Sequence, residues 1–272
     1  MPWQDALAGV SASDVMRPCS VFIGTRDLVT RARAIMRSTG LRTLPVIDGG
    51  RLEGIITPRE IMQITSTRSN IPVAGLMFPS RLVATPSTEL VKLARQMVGQ
   101  EISDVPVVQS HSDRTVVGLV KLDDILKRIA GKVPPRILVG DVMTKGVVTC
   151  LEDDEIPSIW DIMEKNRYSG LPVVRYDKVK RANKVIGVIT RSDILRSGAT
   201  RLSEEAAKGR FKAPPRVRSL MRTPAIVVSP QTPVAEAIEL MIKRNIGRLP
   251  VVDKDNLVGI ISRSDIIKIA CG

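Results

Sequence analysis

The sequence predicts an α/β (α+β) fold made of four tandem copies of one unit, strand-helix-strand-strand-helix. Two observations carry this. A set of marker residues recurs at fixed gaps, and within each copy the apolar pattern passes from strand to helix and back. The markers are Met16, Met36 and Pro45; Met77, Met97 and Pro106; Met143, Met163 and Pro172; Met221, Met241 and Pro250, with gaps of 20 and 9 residues every time. Gly54, Gly118, Gly187 and Gly259 follow, each six residues ahead of an acid: Glu60, Asp124, Asp193 and Asp265. Only the Pro-to-Gly gap varies, at 9, 12, 15 and 9. A segment that tolerates length change is a surface loop, here the tip of a hairpin.

The last copy shows each element in order. Ala225-Ile226-Val227-Val228 reads as a short strand stopped by Ser229-Pro230. Val234, Ala237, Ile238, Met241 and Ile242 then fall on one face of a helix. Leu249-Pro250-Val251-Val252-Asp253 and Leu257-Val258-Gly259-Ile260-Ile261 are two strands rich in β-branched residues. Their apolar runs lack alternation, so both faces should be buried. Ser262-Arg263-Ser264-Asp265 opens a final helix carrying Ile266, Ile267 and Ile269. A single unit leaves its helical faces uncovered, so units should dock in pairs.

The copies divide as residues 1–66, 67–133, 134–198 and 199–272, with a basic linker at 199–216 in which Ser203 and Glu205 suit a short helix. Pairing neighbours gives modules 1–133 and 134–272. A chain of 272 residues has room for two cores. With aromatics at only 3%, those cores must be aliphatic. No apolar run reaches the ~20 residues of a membrane span. The start, Met1-Pro2-Trp3-Gln4-Asp5, lacks a signal-peptide pattern, so the expected location is cytoplasmic. Cys19, Cys150 and Cys271 fit neither a zinc spacing nor a disulfide framework, and the one histidine, His111, sits in a polar hairpin tip. Neither a metal site nor a catalytic residue is expected.

At this point the residues resemble the CBS domain family, named for cystathionine β-synthase. Asp14-Val15-Met16 and Asp141-Val142-Met143, the Leu-Pro-Val-Val-Asp strand, and Gly-Ile-Ile-Ser-x-x-Asp with its variants carry the likeness over nearly the whole chain. It resembles a stand-alone, archaeal-type protein of four repeats paired into two Bateman modules. The resemblance implies clefts that take AMP, ADP or ATP, or S-adenosylmethionine, as a regulatory ligand rather than a cofactor. It also implies a regulatory, non-enzymatic role.

The family's ligand motif maps best onto Thr190-Arg191-Ser192-Asp193 and Ser262-Arg263-Ser264-Asp265. A carboxylate at a helix start can accept both ribose hydroxyls, and the nearby hydroxyl and helix N–H groups suit phosphate. Arg191 and Arg263 add positive charge. The competing reading is a capping box, which only stabilises a helix start. Thr57-Pro58-Arg59-Glu60 is the best cap, with an acid one methylene longer, and Asp124 follows Lys121 in place of a hydroxyl. A basic residue before Leu-Pro is a second family feature. Arg248 supplies it in the fourth repeat, Arg42 lies one place off in the first, and Thr43, Asp104 and Gly170 stand at the equivalent positions. The Asp265 cleft therefore ranks first, Asp193 second and Asp124 third.

Net charge is +13. The excess concentrates in Arg175, Lys178, Lys180, Arg181 and Lys184 of the longest hairpin tip, and in Lys208, Arg210, Lys212, Arg216, Arg218 and Arg222 of the last connection. Such segments favour a polyanion, so a nucleotide-sensing protein that docks on RNA, most simply the ribosome, is expected. The alternative is an allosteric subunit of a separate enzyme or transporter. A homodimer is a further partner allowed.

Overall fold

A computed structural model describes residues 4–62, 71–178, 181–197 and 214–272. The Ser203–Glu205 helix expected from sequence lies outside the described residues. The chain forms two compact units. The first comprises Met1–Ile137, Pro233–Gly247 and Ser262–Gly272; the second comprises Leu138–Thr232 and Arg248–Ile261. The fourth repeat thus lends its helices to one unit and its hairpin to the other.

In the first unit, α1 (Val29–Thr39) leads into the hairpin β1 (Leu44–Asp48) and β2 (Arg51–Ile56), then α2 (Pro58–Met62). The second repeat follows with α3 (Leu90–Gly99), β3 (Asp104–Val108), β4 (Val116–Lys121) and α4 (Leu122–Ala130). The second unit holds α5 (Val139–Val142), β5 (Cys150–Leu151), α6 (Ile156–Lys165), β6 (Gly170–Asp177), β7 (Ala182–Thr190) and α7 (Arg191–Ser197). The fourth repeat supplies α8 (Val234–Arg244), β8 (Arg248–Asp253), β9 (Asn256–Ser262) and α9 (Arg263–Cys271).

Helical apolar faces close the first unit. Leu90, Leu93, Ala94 and Met97 of α3 and Ile125, Leu126 and Ile129 of α4 are buried, as are Val234, Ala237, Ile238 and Met241 of α8 and Ile266, Ile267 and Ala270 of α9. The helix α9 packs on α3 and α4, and α4 packs on α8. Each large side chain so buried contributes roughly 1.5–3 kcal/mol. In the second unit Ile156, Ile159 and Met163 of α6 are buried, with Leu171, Val173 and Ile189 of the β6–β7 hairpin and Leu249, Val251 and Ile261 of the β8–β9 hairpin. Burial on both faces holds for β3 along its whole length and for the first half of β6.

One expectation needs correcting. Ala225–Val228 is not a strand; Val228 makes a single parallel bridge to Val251. Ile23 and Ala84 do the same with Val46 and Val107, and only the third repeat extends the pairing, through Cys150 and Leu151. The marker prolines bar extension toward the N-terminus, and the third repeat extends in the other direction. Ile23 N–H donates to Pro45 O at 3.0 Å and Ile47 N–H returns to Ile23 O at 2.8 Å. The next rung toward the N-terminus needs an N–H from Pro45, which has none.

Candidate functional site: acids at the helix starts and the segments laid beside them

Each hairpin's glycine receives the first marker methionine of its sister repeat. The backbone of Arg17 forms an antiparallel bridge with Leu119, Phe78 with Ile55, Thr144 with Ile260 and Arg222 with Val188. In every case the receiving residue follows the marker glycine. A Cβ on Gly118 would stand 3.0 Å from Met16 Sδ and 3.0 Å from Arg17 O. On Gly187 it would stand 3.0 Å from Met221 Sδ and 2.9 Å from Arg222 O. The exchange runs both ways between first and second repeats and between third and fourth. The hairpins of the first three repeats also carry a register shift just before the glycine, after Val46, Val107 and Val173.

This seating brings the residue after the methionine to the helix that carries the acid. Asp193 is buried, and its two oxygens are both used. The Thr190 N–H donates to Oδ2 at 3.0 Å and the Thr190 hydroxyl at 2.5 Å; Arg222 Nε donates to Oδ1 at 2.9 Å, and Arg196 also reaches Oδ1. Asp124 is likewise buried and ion-pairs with Arg17. With Lys121 at the N-cap there is no side-chain cap bond in that repeat. Asp265 differs. Its Oδ2 accepts from the Ser262 N–H at 2.8 Å and hydroxyl at 2.7 Å, and Asp265 N–H returns to Ser262 Oγ at 3.3 Å. Among the described residues nothing bonds to its Oδ1. In the first repeat Thr57 N–H donates to Glu60 Oε2 at 2.9 Å, and the Thr57 hydroxyl caps the same oxygen. The reciprocal capping box is present at Thr190 and Ser262, while at Thr57 the acid accepts from the N-cap residue; among the described residues the second carboxylate oxygen is taken at Asp193 and carries no bond at Asp265 or at the longer Glu60.

The arginines expected to attend phosphate are held by protein partners. Arg191 Nη2 donates to Met163 O at 2.6 Å, lies 3.2 Å from Glu164, and sits over Trp160 with 5.7 Å to the ring centroid. Arg263 Nη1 pairs with Asp123 at 2.5 Å; burial pulls its pKa below the usual guanidinium value, and Asp123 opposes that. Arg248 donates through Nη1 to Gly170 O at 2.6 Å and bonds Ser169 Oγ through Nη2. Arg42, one place off in sequence, performs the matching task in the first pair by donating to Ser103 Oγ at 3.4 Å. Beside it Asp104, fully buried, has its pKa pushed up to about 6 by desolvation, against the pull of Lys121 and Arg42.

Of the basic residues assigned to a polyanion, Lys178, Arg181 and Lys184 are exposed. Arg175 is instead bidentate to Glu152, with its nitrogens 2.8 and 2.9 Å away, Arg218 pairs with Asp153, and Arg216 bonds the Asp153 carbonyl. Lys180, Lys208, Arg210 and Lys212 lie outside the described residues. A hollow of about 510 Å³ opens elsewhere, at Gly24, Arg26, Asp27, Asp48 and Gly49. Its carboxylates serve local turns and Arg31, so it shares nothing with the acid sites. No cluster of metal-ligating side chains occurs among the described residues, and no helix there is long and apolar enough to cross a membrane.

A four-repeat α/β chain with capped acids at helix starts and segments exchanged between sister hairpins is built from paired repeats of one kind. The chain belongs to the CBS domain family, which matches residues 12–66, 73–131, 139–199 and 217–272. It is 29% identical over 264 residues to the uncharacterized protein MJ1404 of Methanocaldococcus jannaschii, covering 90% of this chain but 60% of that one. It superposes on the crystal structure of MJ1225 from the same organism with a TM-score of 0.81 at 19% identity, across 96% of this chain and 99% of that one. It is also 32% identical over 129 residues to the inosine-5'-monophosphate dehydrogenase of that organism, a match to 47% of this chain and 22% of the enzyme. CBS repeats thus occur inside an enzyme there, whereas the family match here takes up most of the chain.

Proposed function

We propose that this chain is a non-enzymatic regulatory protein that binds an adenosine nucleotide, AMP, ADP or ATP, with Asp265 as its principal ribose carboxylate. The divided use of that carboxylate carries the reading. A helix cap needs one oxygen, and Oδ2 provides it. The other oxygen, on a half-buried residue at the start of a nine-residue helix, is left to accept charge-assisted bonds from a vicinal diol. The helix N-terminus adds N–H groups suited to phosphate. Family membership supports the same ligand class. Calorimetry with AMP, ADP and ATP on the wild type, Asp265→Ala and Asp265→Asn tests it. Loss of the charged acceptor should weaken binding by about 10- to 100-fold. Equal heats in all three proteins overturn the assignment.

Two classes of macromolecular partner fit this reading. The dehydrogenase relative favours a separate enzyme or transporter that these repeats regulate in trans. The exposed Lys178, Arg181 and Lys184, on a chain of net charge +13, favour docking on RNA or the ribosome. A ligand shifts such docking only if it binds one arrangement of the repeats better than another. Affinity purification with and without RNase separates them. Ribosomal proteins that leave with RNase support RNA, and one stoichiometric enzyme supports the other.

A further inference from the structure

The marker register puts Arg17 and Arg222 after the first methionine in two repeats, and Phe78 and Thr144 in the other two. Arg222 hydrogen-bonds Asp193, and Arg17 forms an ion pair with Asp124, whose oxygens otherwise have no hydrogen-bond partner among the described residues; both acids are almost fully buried. The side chains of Arg17 and Arg222 are 52% and 48% exposed. In both pairs the acid is buried and the arginine is half-exposed, so solvent reaches the guanidinium and its departure uncovers little apolar surface. On Asp193 the consequence is complete. Thr190 takes one oxygen, Arg222 and Arg196 take the other, and nothing is left for an incoming hydroxyl. The Asp265 carboxylate keeps one oxygen, and Thr144 stands at the register position of the missing arginine.

We propose that Arg17 and Arg222 are built-in competitors for the ribose carboxylates Asp124 and Asp193. They hold those two sites closed, so the Asp265 site fills first and the Asp193 site opens only when a ligand displaces Arg222. This rests on the reading of these acids as ribose acceptors. It makes affinity at each site a property of the sister repeat, set by the residue after the methionine.

Calorimetry with AMP on the full chain tests it, comparing the wild type with Arg222→Ala, Arg222→Gln and Arg17→Ala, each also in an Asp265→Ala background. Removing a half-exposed competing ion pair should strengthen AMP binding at the Asp193 site by about 3- to 30-fold. Under Asp265→Ala, binding should then persist in the Arg222 variants and vanish when Asp193→Ala is added. Circular dichroism melts identify the variant that stays folded, and Arg222→Gln keeps the packing stem if Arg222→Ala does not. If the wild type binds AMP through Asp265 and the Arg222 and Arg17 variants match its affinity and stoichiometry, the competitor role is overturned while the ribose reading stands. If neither the wild type nor any variant binds AMP, both fall together.

Discussion

Arg263 Nη1 stands 2.5 Å from Asp123 Oδ1, an ion pair in which the arginine is 11% exposed and the aspartate 35%. One residue of the fourth repeat's proposed ligand motif is thereby tied to the second repeat, within the first compact unit. Removing Asp123 strands a desolvated guanidinium. Asp123→Ala should destabilise by about 1–3 kcal/mol, discounted for the exposure of Asp123. The double variant with Arg263→Met should recover most of that loss. Urea unfolding at unchanged m-value measures both, and equal losses in the single and double variants contradict the pairing.

Gly187 is required by close approach. In Gly187→Ala the new Cβ meets the Arg222 carbonyl at 2.9 Å, and backbone cannot yield as a flexible side chain does. A cost of about 1–3 kcal/mol is expected, or roughly 2–4 °C in Tm per kcal/mol. Gly131→Ala is the control, since nothing lies within 4 Å of its Cβ position and its φ is −76°. It should stay within about 0.5 kcal/mol of the wild type.

Asp104 gives a pH signature. Its folded pKa of about 6 lies above the ordinary 3.8, so between these values the folded chain holds more protons than the unfolded one. Its contribution to stability is therefore greatest below pH 3.8, falls as pH rises through that window, and is lost above about 6. A shift of this size corresponds to about 3 kcal/mol at neutral pH. Asp104→Asn should raise Tm at pH 7.5 and change it little at pH 4. A gain equal at both pH values would show that the carboxyl does not titrate in this range.

The cap and the site at Asp265 can be separated by two substitutions. Ser262→Ala removes the hydroxyl that accepts from Asp265 N–H and should cost about 1 kcal/mol. Asp265→Asn keeps an oxygen for the Ser262 N–H, so its stability loss should be smaller while AMP binding falls. If both changes lower Tm equally and leave AMP affinity alike, the acid serves only as a cap.

The helix faces and helix starts were legible because each depends on neighbours close in sequence, and the hairpin glycines showed as a recurring mark although their reason, the sister repeat's methionine, lies far along the chain. Val234, Ala237, Ile238 and Met241 were read as one face and are buried as one. The caps of Thr57, Thr190 and Ser262 were likewise local. What escaped depends on contacts across repeats. Arg17 reaches Asp124, and Arg263 reaches Asp123, over stretches that no local pattern spans. Arg191 was assigned to a ligand from its motif, yet Trp160 and Glu164 on the same repeat's helix hold it. The strand expected at Ala225–Val228 shrinks to one bridge, since Pro250 has no N–H to carry the pairing further toward the N-terminus. One signal for the arginine contacts does lie in the sequence: Arg17 and Arg222 share a register position that Phe78 and Thr144 break.

The reciprocal seating of Met16 on Gly118 and of the Phe78 backbone against Gly54 has an evolutionary corollary. A lone repeat carries a plug without its socket and a socket without its plug. The smallest piece that can be copied and still close on itself is two repeats long, so chains of this kind should grow by even numbers.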